Sequence, residues 1–283
     1  MRYCKYLSHE LGQPYPRYAL VERRDDTLYA VGPMVPPEED LAAQLAPPSL
    51  TPFQPGPLSD LYLLPPVTPS KILCVGRNYK DHAAELGNEL PKEPLLFLKP
   101  LSSLLRPGGT ILMPALSNRV DYEGELAIVI GARCHHLGPD EDVRPYIRGY
   151  TLVNDVTARD IQKADGQWTR GKGFDTFCPT GPIVSDEIDP CGSNEDPARP
   201  VTLTTRLNGV IKQHGSTADL IFSIPHLLRY ITAAITLEPG DIIPTGTPAG
   251  VGPLSPGDRI EVEIDGLGVL ENLVSPGNIA GNR

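Results

Sequence analysis

The sequence has no apolar run approaching the roughly 20 residues that a helix needs to cross a bilayer. Residues 1–12 are polar and lack the apolar core of a secretory signal, so we expect a cytoplasmic protein with no membrane partner. Positive charge is scarce as well, since 25 Lys and Arg residues stand against 35 Asp and Glu residues and give a net charge of −10. No basic run offsets this balance, which excludes a groove that follows nucleic-acid phosphates.

Paired cysteines are also missing. The five cysteines are odd in number and widely spaced, at Cys4, Cys74, Cys134, Cys178 and Cys191. No two form a Cys-x-x-Cys pair, so the pattern indicates neither a disulfide framework nor a zinc site. We expect reduced thiols, several of them in the core. The glycine-rich stretch 168–179 is predicted to be a ligand-approaching loop, but it lacks the strand and helix that flank a nucleotide-binding glycine motif.

A buried strand with two acidic residues at its entrance is the most informative stretch. Residues 126–130 are apolar and rich in β-branched side chains, which predicts a strand ended by Gly131. Glu123 and Glu125 precede it, and they share one face because strand side chains alternate. Two carboxylates on a strand that enters a core must be neutralised, and a divalent cation does this well. The alternative is a strand end whose acids are solvated, and the pair alone does not decide between the two.

Two short apolar strands, residues 71–76 and 95–98, are each followed by side chains suited to chemistry. After the first, His82 and Glu85 lie three residues apart, on one face of a predicted helical turn. A carboxylate in that position orients a histidine that exchanges protons near neutral pH, although an exposed surface pair has the same spacing. The second strand ends at Lys99, which is either a cation for an anionic ligand or a snorkelling surface residue.

A further acidic residue, Asp155, lies at the end of a predicted strand over residues 150–156. A helix is predicted over residues 157–163, with Asp155 or Thr157 near its N-cap. Arg159 and Gln162 are three residues apart and therefore share a face of this helix.

The distribution of proline predicts the domain organisation. Eight prolines between positions 47 and 69 indicate an extended strap with little regular structure. We predict a small N-terminal cap domain with this strap over residues 1–66, and a main domain over residues 67–283. A hairpin is expected at Asn208-Gly209 and a helix over residues 221–235. Many short strands with few helices favour a β-rich α+β fold over a doubly wound parallel sheet.

Seven motifs, in order along residues 70–274, resemble the fumarylacetoacetate hydrolase family. They are Gly76-Arg77-Asn78-Tyr79 with His82 and Glu85, Phe97-Leu98-Lys99-Pro100, Asp121-Tyr122-Glu123-Gly124-Glu125, Asn154-Asp155-Val156-Thr157-Ala158-Arg159-Asp160, residues 168–172, Asn208-Gly209, and Gly246-Thr247-Pro248-Ala249-Gly250-Val251-Gly252. No single motif is specific, but the ordered set is.

The resemblance implies a mixed β-roll/β-sandwich catalytic domain that holds Mg²⁺ or Mn²⁺ and forms a homodimer. By this resemblance the metal ligands are Glu123, Glu125 and Asp155, and the proton-handling residues are His82 and Glu85. Further site residues are Lys172 near the metal carboxylates, and Arg77, Tyr79, Lys99, Arg159, Gln162 and Thr247 as substrate contacts. His214 stands where relatives more often carry a small polar residue.

The expected substrate is a short 2-oxo acid, because its carboxylate and keto oxygen chelate a divalent ion together. Cleavage of the C3–C4 bond then leaves an enolate that the ion stabilises, by decarboxylation for oxaloacetate or by hydrolysis for an acylpyruvate. One alternative is a 2-hydroxyhepta-2,4-diene-1,7-dioate isomerase or 5-oxopent-3-ene-1,2,5-tricarboxylate decarboxylase of aromatic catabolism. The other is a catalytically idle, metal-binding relative.

Overall fold

Strands dominate the chain. A computed structural model of the protein describes residues 1–10, 13–81, 90–192 and 197–277. Its strands are β1 (Arg2–Glu10), β2 (Gln13–Arg24), β3 (Thr27–Met34), β4 (Gly56–Pro57), β5 (Leu63–Leu64), β6 (Ile72–Gly76), β7 (Leu95–Lys99), β8 (Leu104–Leu105), β9 (Thr110–Met113), β10 (Val120–Tyr122), β11 (Gly124–Ile130), β12 (Ile147–Asn154), β13 (Thr157–Ala158), β14 (Cys178–Ser185), β15 (Thr202–Leu207), β16 (Val210–Ser216), β17 (Ile242–Pro244), β18 (Gly252–Pro253), β19 (Arg259–Ile264) and β20 (Gly268–Pro276). Its α-helices are α1 (Leu41–Gln44), α2 (Arg159–Asp165), α3 (Thr169–Lys172) and α4 (Ile224–Thr232).

The described strands form three sheets. The largest has the order β4-β3-β2-β1-β14-β12-β11-β17-β6-β7, with β5 beside β1 and β8 beside β14. A five-stranded sheet runs β16-β15-β19-β20-β9, and a small one runs β13-β10-β18. The predicted β-rich α+β fold is confirmed. No helix of the described residues is long and apolar enough to span a membrane.

Strand β11 is the centre of the fold, and all seven of its residues are buried. Its even-numbered side chains, such as Leu126 and Ile128, pack in a core with Val262 of the five-stranded sheet and Leu228 of α4. Its odd-numbered side chains, such as Val129, pack in a second core within the large sheet. Because residues 123 and 125 are odd-numbered, their carboxylates are directed away from the five-stranded sheet.

Strands β1–β4 of the N-terminal segment continue the large sheet, since β1 pairs with β14 through Arg2↔Ser185 and Tyr3↔Val184. The proline-dense stretch has little regular structure, as predicted: it holds β4, β5 and a 3₁₀ turn at Leu58–Asp60. The domain boundary after residue 66 stays a prediction. All five cysteines are free and buried, which confirms the expected thiols.

The helix predicted from residue 157 begins later. Thr157–Ala158 form β13, which pairs with β10 through Val120↔Ala158 and Asp121↔Thr157. Helix α2 then begins at Arg159, with Ala158 at its N-cap position and no side-chain capping bond. Thr157 therefore lies next to the N-cap residue, near the predicted position, but neither Asp155 nor Thr157 caps the helix, and Thr157 pairs with β10 instead. The stretch predicted as a glycine-rich loop also contains helix α3.

Candidate active site

Three acidic side chains converge where β11 and β12 run side by side. Glu123 and Glu125 flank Gly124, which is paired with Asn154 at the end of β12. Asp155 follows directly, and its backbone N–H donates to the Glu123 carbonyl at 2.8 Å. One carboxylate oxygen from each acid lies within 4.8 Å of the others, and all three side chains are buried. The predicted convergence of these groups is present in the fold.

Three cations contact this carboxylate cluster. Lys172 Nζ donates to Glu123 Oε2 at 2.7 Å and to Asp155 Oδ2 at 2.6 Å. Lys99 Nζ donates to Asp155 Oδ1 at 2.6 Å. The Arg159 guanidinium binds Glu123 and also Asp121, the latter at 2.9 Å. Buried acids are thus held in a network of charge-assisted hydrogen bonds, as burial requires.

Burial and neighbouring charge both shift the pKa values of Lys172 and Glu125. Burial alone would lower the pKa of Lys172, but the Asp155 and Glu123 carboxylates raise it above its usual value. For Glu125, burial and then the charges of Asp155 and Glu123 raise the pKa well above its usual value, although Lys172 and the Gly246 N–H oppose this. The surroundings of Glu125 therefore favour its neutral form, in the direction opposite to the effect of Lys172.

The donor set fits a hard divalent cation. Glu123, Glu125 and Asp155 offer only oxygen ligands, the type that Mg²⁺ and Mn²⁺ prefer. A +2 ion would also place positive charge next to the Glu125 carboxylate and favour its ionised form. Three protein ligands leave coordination positions for substrate oxygens.

The cluster borders a cavity of about 360 Å³, within the range of small-molecule sites. Val75, Phe97 and Trp168 give its lining an apolar part, and the Phe97 and Trp168 rings pack edge to face with centroids 5.2 Å apart. Arg77 and Lys163 give it a cationic part, with the Arg77 guanidinium 6.0 Å from the centre of the Trp168 ring. The cavity therefore combines an acidic cluster, an apolar surface and two further cations.

Most of the predicted site residues line this cavity. They are Arg77, Glu123, Glu125, Asp155, Arg159, Gln162, Lys172 and Thr247. Arg159 Nη1 donates to Gln162 Oε1 at 2.8 Å, so the helical spacing of these two residues does bring them together.

Two predicted substrate contacts do not line the cavity. Lys99 is fully buried, and its ammonium binds Asp155 and, at 3.3 Å, the Val156 carbonyl. Its position therefore supports a role in orienting the Asp155 carboxylate. It supports neither the predicted substrate contact nor a lysine that extends to the surface. Tyr79 is also buried, and burial followed by the Glu125 charge raises its pKa.

The predicted proton-handling pair, His82 and Glu85, lies outside the described residues, and its role stays a prediction. His214 is described, and its ring lies on the exposed side of β16, 3.1 Å from the Thr204 hydroxyl. It does not line the cavity.

Sequence reasoning missed two residues that hold the site. Asp121 is completely buried and binds Arg159, which in turn binds Glu123. Asp121 lies two residues before Glu123, and in an extended chain side chains two apart share a face. This spacing therefore indicates that Asp121 is close to the acidic pair. Gln213 binds the backbone of Gly124 from β16, and nothing in the sequence around it indicates this contact.

The chain is similar to several known proteins. The model of the fumarylacetoacetate (FAA) hydrolase C-terminal family matches residues 71–275. The chain is 48% identical over 209 residues to a mitochondrial oxaloacetate decarboxylase of Dictyostelium discoideum. The aligned region covers 71% of this chain and 91% of that protein. It is 42% identical over 229 residues to an oxaloacetate tautomerase of Bacillus subtilis, at 77% and 74% coverage. The structure of a 2-hydroxyhepta-2,4-diene-1,7-dioate isomerase from Mycobacterium marinum superposes with a TM-score of 0.79 and 38% identity over 98% of both chains. The chain belongs to the fumarylacetoacetate hydrolase family.

Proposed function

We propose that this protein is a Mg²⁺- or Mn²⁺-dependent enzyme that acts on short 2-oxo acids through their enols or enolates, by decarboxylation or C–C hydrolysis. The observation that carries the proposal is the cluster of Glu123, Glu125 and Asp155 on the wall of a ligand-sized cavity. The names of two relatives, an oxaloacetate decarboxylase and an oxaloacetate tautomerase, support the substrate class.

The residues that line the cavity have two roles in this proposal: some bind the ion and the substrate, and others stabilise negative charge during the reaction. When bound to the three carboxylates, a divalent ion supplies Lewis-acid stabilisation for negative charge on substrate oxygens. The Lys172 ammonium already lies between Glu123 and Asp155, so it adds positive charge where that negative charge develops. Phe97 and Trp168 offer an apolar surface that reduces water around the reacting carbons.

Decarboxylation and hydrolysis differ in whether they need an activated water molecule. Decarboxylation of oxaloacetate needs no activated water once the enolate is stabilised. Hydrolysis of an acylpyruvate needs water to attack the C4 ketone, and we assign its activation to His82 with Glu85.

We expect His82→Ala to lower acylpyruvate hydrolysis by roughly 10²- to 10⁴-fold, the usual contribution of general acid–base catalysis. Oxaloacetate decarboxylation should change much less. Steady-state kcat on both substrates with saturating Mn²⁺ measures this. His214→Ala is the matched control, because that exposed ring does not line the cavity and both rates should be retained. Equal losses on the two substrates for His82→Ala would contradict the division of labour.

A second candidate function is isomerisation of a 2-hydroxy-diene-dioate, in which a proton moves and no C–C bond breaks. The cationic lining favours a substrate with a second carboxylate: among the described residues, Arg77 and Lys163 line the cavity without forming an ion pair. Arg77 also has a φ of 57°, a sparsely populated conformation for a non-glycine residue of the kind found at functional sites.

Lys163→Ala tests this preference for a dianionic substrate. We expect KM for oxaloacetate and for a diene-dioate to rise roughly three- to fivefold, as for loss of an exposed ion pair of about 1 kcal/mol. KM for an acylpyruvate with an uncharged tail should not change. Lys212→Ala, at an exposed position away from the cavity, serves as the control. The same substrate panel identifies an idle relative, which would bind metal and turn over none of the compounds.

A further inference from the structure

Gln213 is a buried polar residue in an otherwise exposed stretch of β16. Its exposed fraction is 1%, whereas its neighbours Lys212 and His214 are exposed. Strand alternation therefore directs this amide inward, toward the start of β11. A buried amide must have its hydrogen bonds satisfied, and the partners of Gln213 show what it does.

The amide closes a ring of hydrogen bonds around Gly124. Gln213 Oε1 accepts from the Gly124 N–H at 3.0 Å, and Gln213 Nε2 donates to Thr247 Oγ1 at 2.7 Å. The Thr247 hydroxyl in turn donates to the Gly124 carbonyl at 2.8 Å. Nε2 also donates to the Pro248 carbonyl at 2.8 Å, and since a carbonyl only accepts, the orientation of the amide is fixed.

The ring holds the two peptide groups that join the proposed metal ligands. The Gly124 N–H belongs to the peptide after Glu123, and the Gly124 carbonyl belongs to the peptide before Glu125. Residue 124 has no room for a side chain of its own, because a Cβ there would lie 2.3 Å from Thr205 Oγ1. The spacing of the two carboxylates therefore depends on contacts to the Gly124 backbone.

Asn154 has the corresponding role one residue earlier. Its Oδ1 accepts from the Glu123 N–H at 2.9 Å, which ties Glu123 to β12. Gln213 and Thr247 approach Gly124 from β16 and from the segment after β17. The acidic segment is thus held from both sides.

We propose that Gln213 is a positioning residue for the divalent-metal site, which it serves by fixing the Gly124 backbone between Glu123 and Glu125. The inference rests on the metal binding in the proposed function. Loss of an outer contact of this kind weakens metal affinity because the ligands lose their preset spacing, while each ligand itself is kept.

The test is the affinity of the purified full-length chain for Mn²⁺ alone, measured by electron paramagnetic resonance and calorimetry. Gln213→Leu should weaken Mn²⁺ binding by roughly 10- to 100-fold. Thr205→Val is the matched control: Thr205 is paired with Gln213 across β15 and β16, is equally buried, and its hydroxyl has no hydrogen-bond partner among the described residues. Its Mn²⁺ affinity should stay within about twofold of the original.

The thermal midpoint of the metal-free variants separates positioning from simple packing. A lower midpoint for Gln213→Leu with unchanged Mn²⁺ affinity overturns the inference. If Gln213→Leu does not fold, Gln213→Met keeps the length of the side chain but offers the Gly124 N–H no amide acceptor, and the same drop in affinity is expected. An original chain that binds no Mn²⁺ would instead overturn the metal site of the proposed function, and with it this inference.

Discussion

Replacing Glu123 with Gln is expected to abolish divalent-cation binding and turnover together. Glutamine keeps the size of the side chain and one acceptor oxygen for Arg159, so the change removes charge with little change in shape. The Lys172 ammonium, which binds both Glu123 and Asp155, would keep only Asp155 as a carboxylate partner. Because Lewis-acid stabilisation is worth several kcal/mol, we expect kcat to fall roughly 10³-fold or more.

Calorimetric titration with Mn²⁺ and the rate of oxaloacetate decarboxylation measure this result. Glu271→Gln removes a carboxylate from the exposed face of the five-stranded sheet, 3.7 Å from Arg259, and should change neither quantity. Glu123→Ala should behave like Glu123→Gln in both assays. If the original protein turns over at its full rate in the presence of EDTA, the metal has no part in the reaction and the proposal fails.

The acidic pair could be found from local pattern alone. Alternation along a strand is a short-range rule, so the sequence alone predicts that Glu123 and Glu125 share one face. The strand itself was recognised because residues 126–130 are continuously apolar, and the structure buries all of them. The position of the third acid, Asp155, at a strand end is also a local pattern, but its role as a ligand rests on the resemblance, because its proximity to the pair depends on the register of β11 against β12.

Other features depend on contacts between distant segments, which propensity does not encode. The start of α2 moved because residues 157 and 158 pair with β10, so tertiary pairing overrides the helical pattern. Gln213 is 89 residues from Gly124 in sequence, and its role follows from the packing of the five-stranded sheet against β11. Nothing in its neighbourhood distinguishes it from a surface glutamine.

Lys99 is the clearest case of a residue whose role the fold decides. Lys99 lies at the end of a short apolar strand, and the sequence alone is compatible with either a ligand contact or a surface lysine. The register Ile72↔Lys99 between β6 and β7 instead places it within the large sheet, where its ammonium reaches Asp155. If Lys99 is removed, the buried Asp155 keeps only Lys172 among the cations of the described residues, and it shares that ammonium with Glu123.

We therefore expect Lys99→Met to destabilise the metal-free protein by about 3 kcal/mol, the lower end of the usual effect of breaking one side of a buried ion pair, because Lys172 still binds Asp155. Methionine matches the length and hydrophobicity of the lysine stem, so little of this loss comes from packing. The free energy of unfolding from urea titration in EDTA measures it, with circular dichroism as the probe.

Lys71→Met is the matched control for this change. Lys71 Nζ also binds a buried carboxylate, that of Asp241, but its side chain is 22% exposed. Asp241 keeps four other donors: the Ser70 N–H and hydroxyl, the Lys71 N–H and the Glu238 N–H, at 2.7–3.0 Å. The loss should therefore be about 1 kcal/mol or less. Equal losses for the two variants would show that burial of the Lys99–Asp155 pair adds nothing to stability, and Lys99 would then have no special role in holding Asp155.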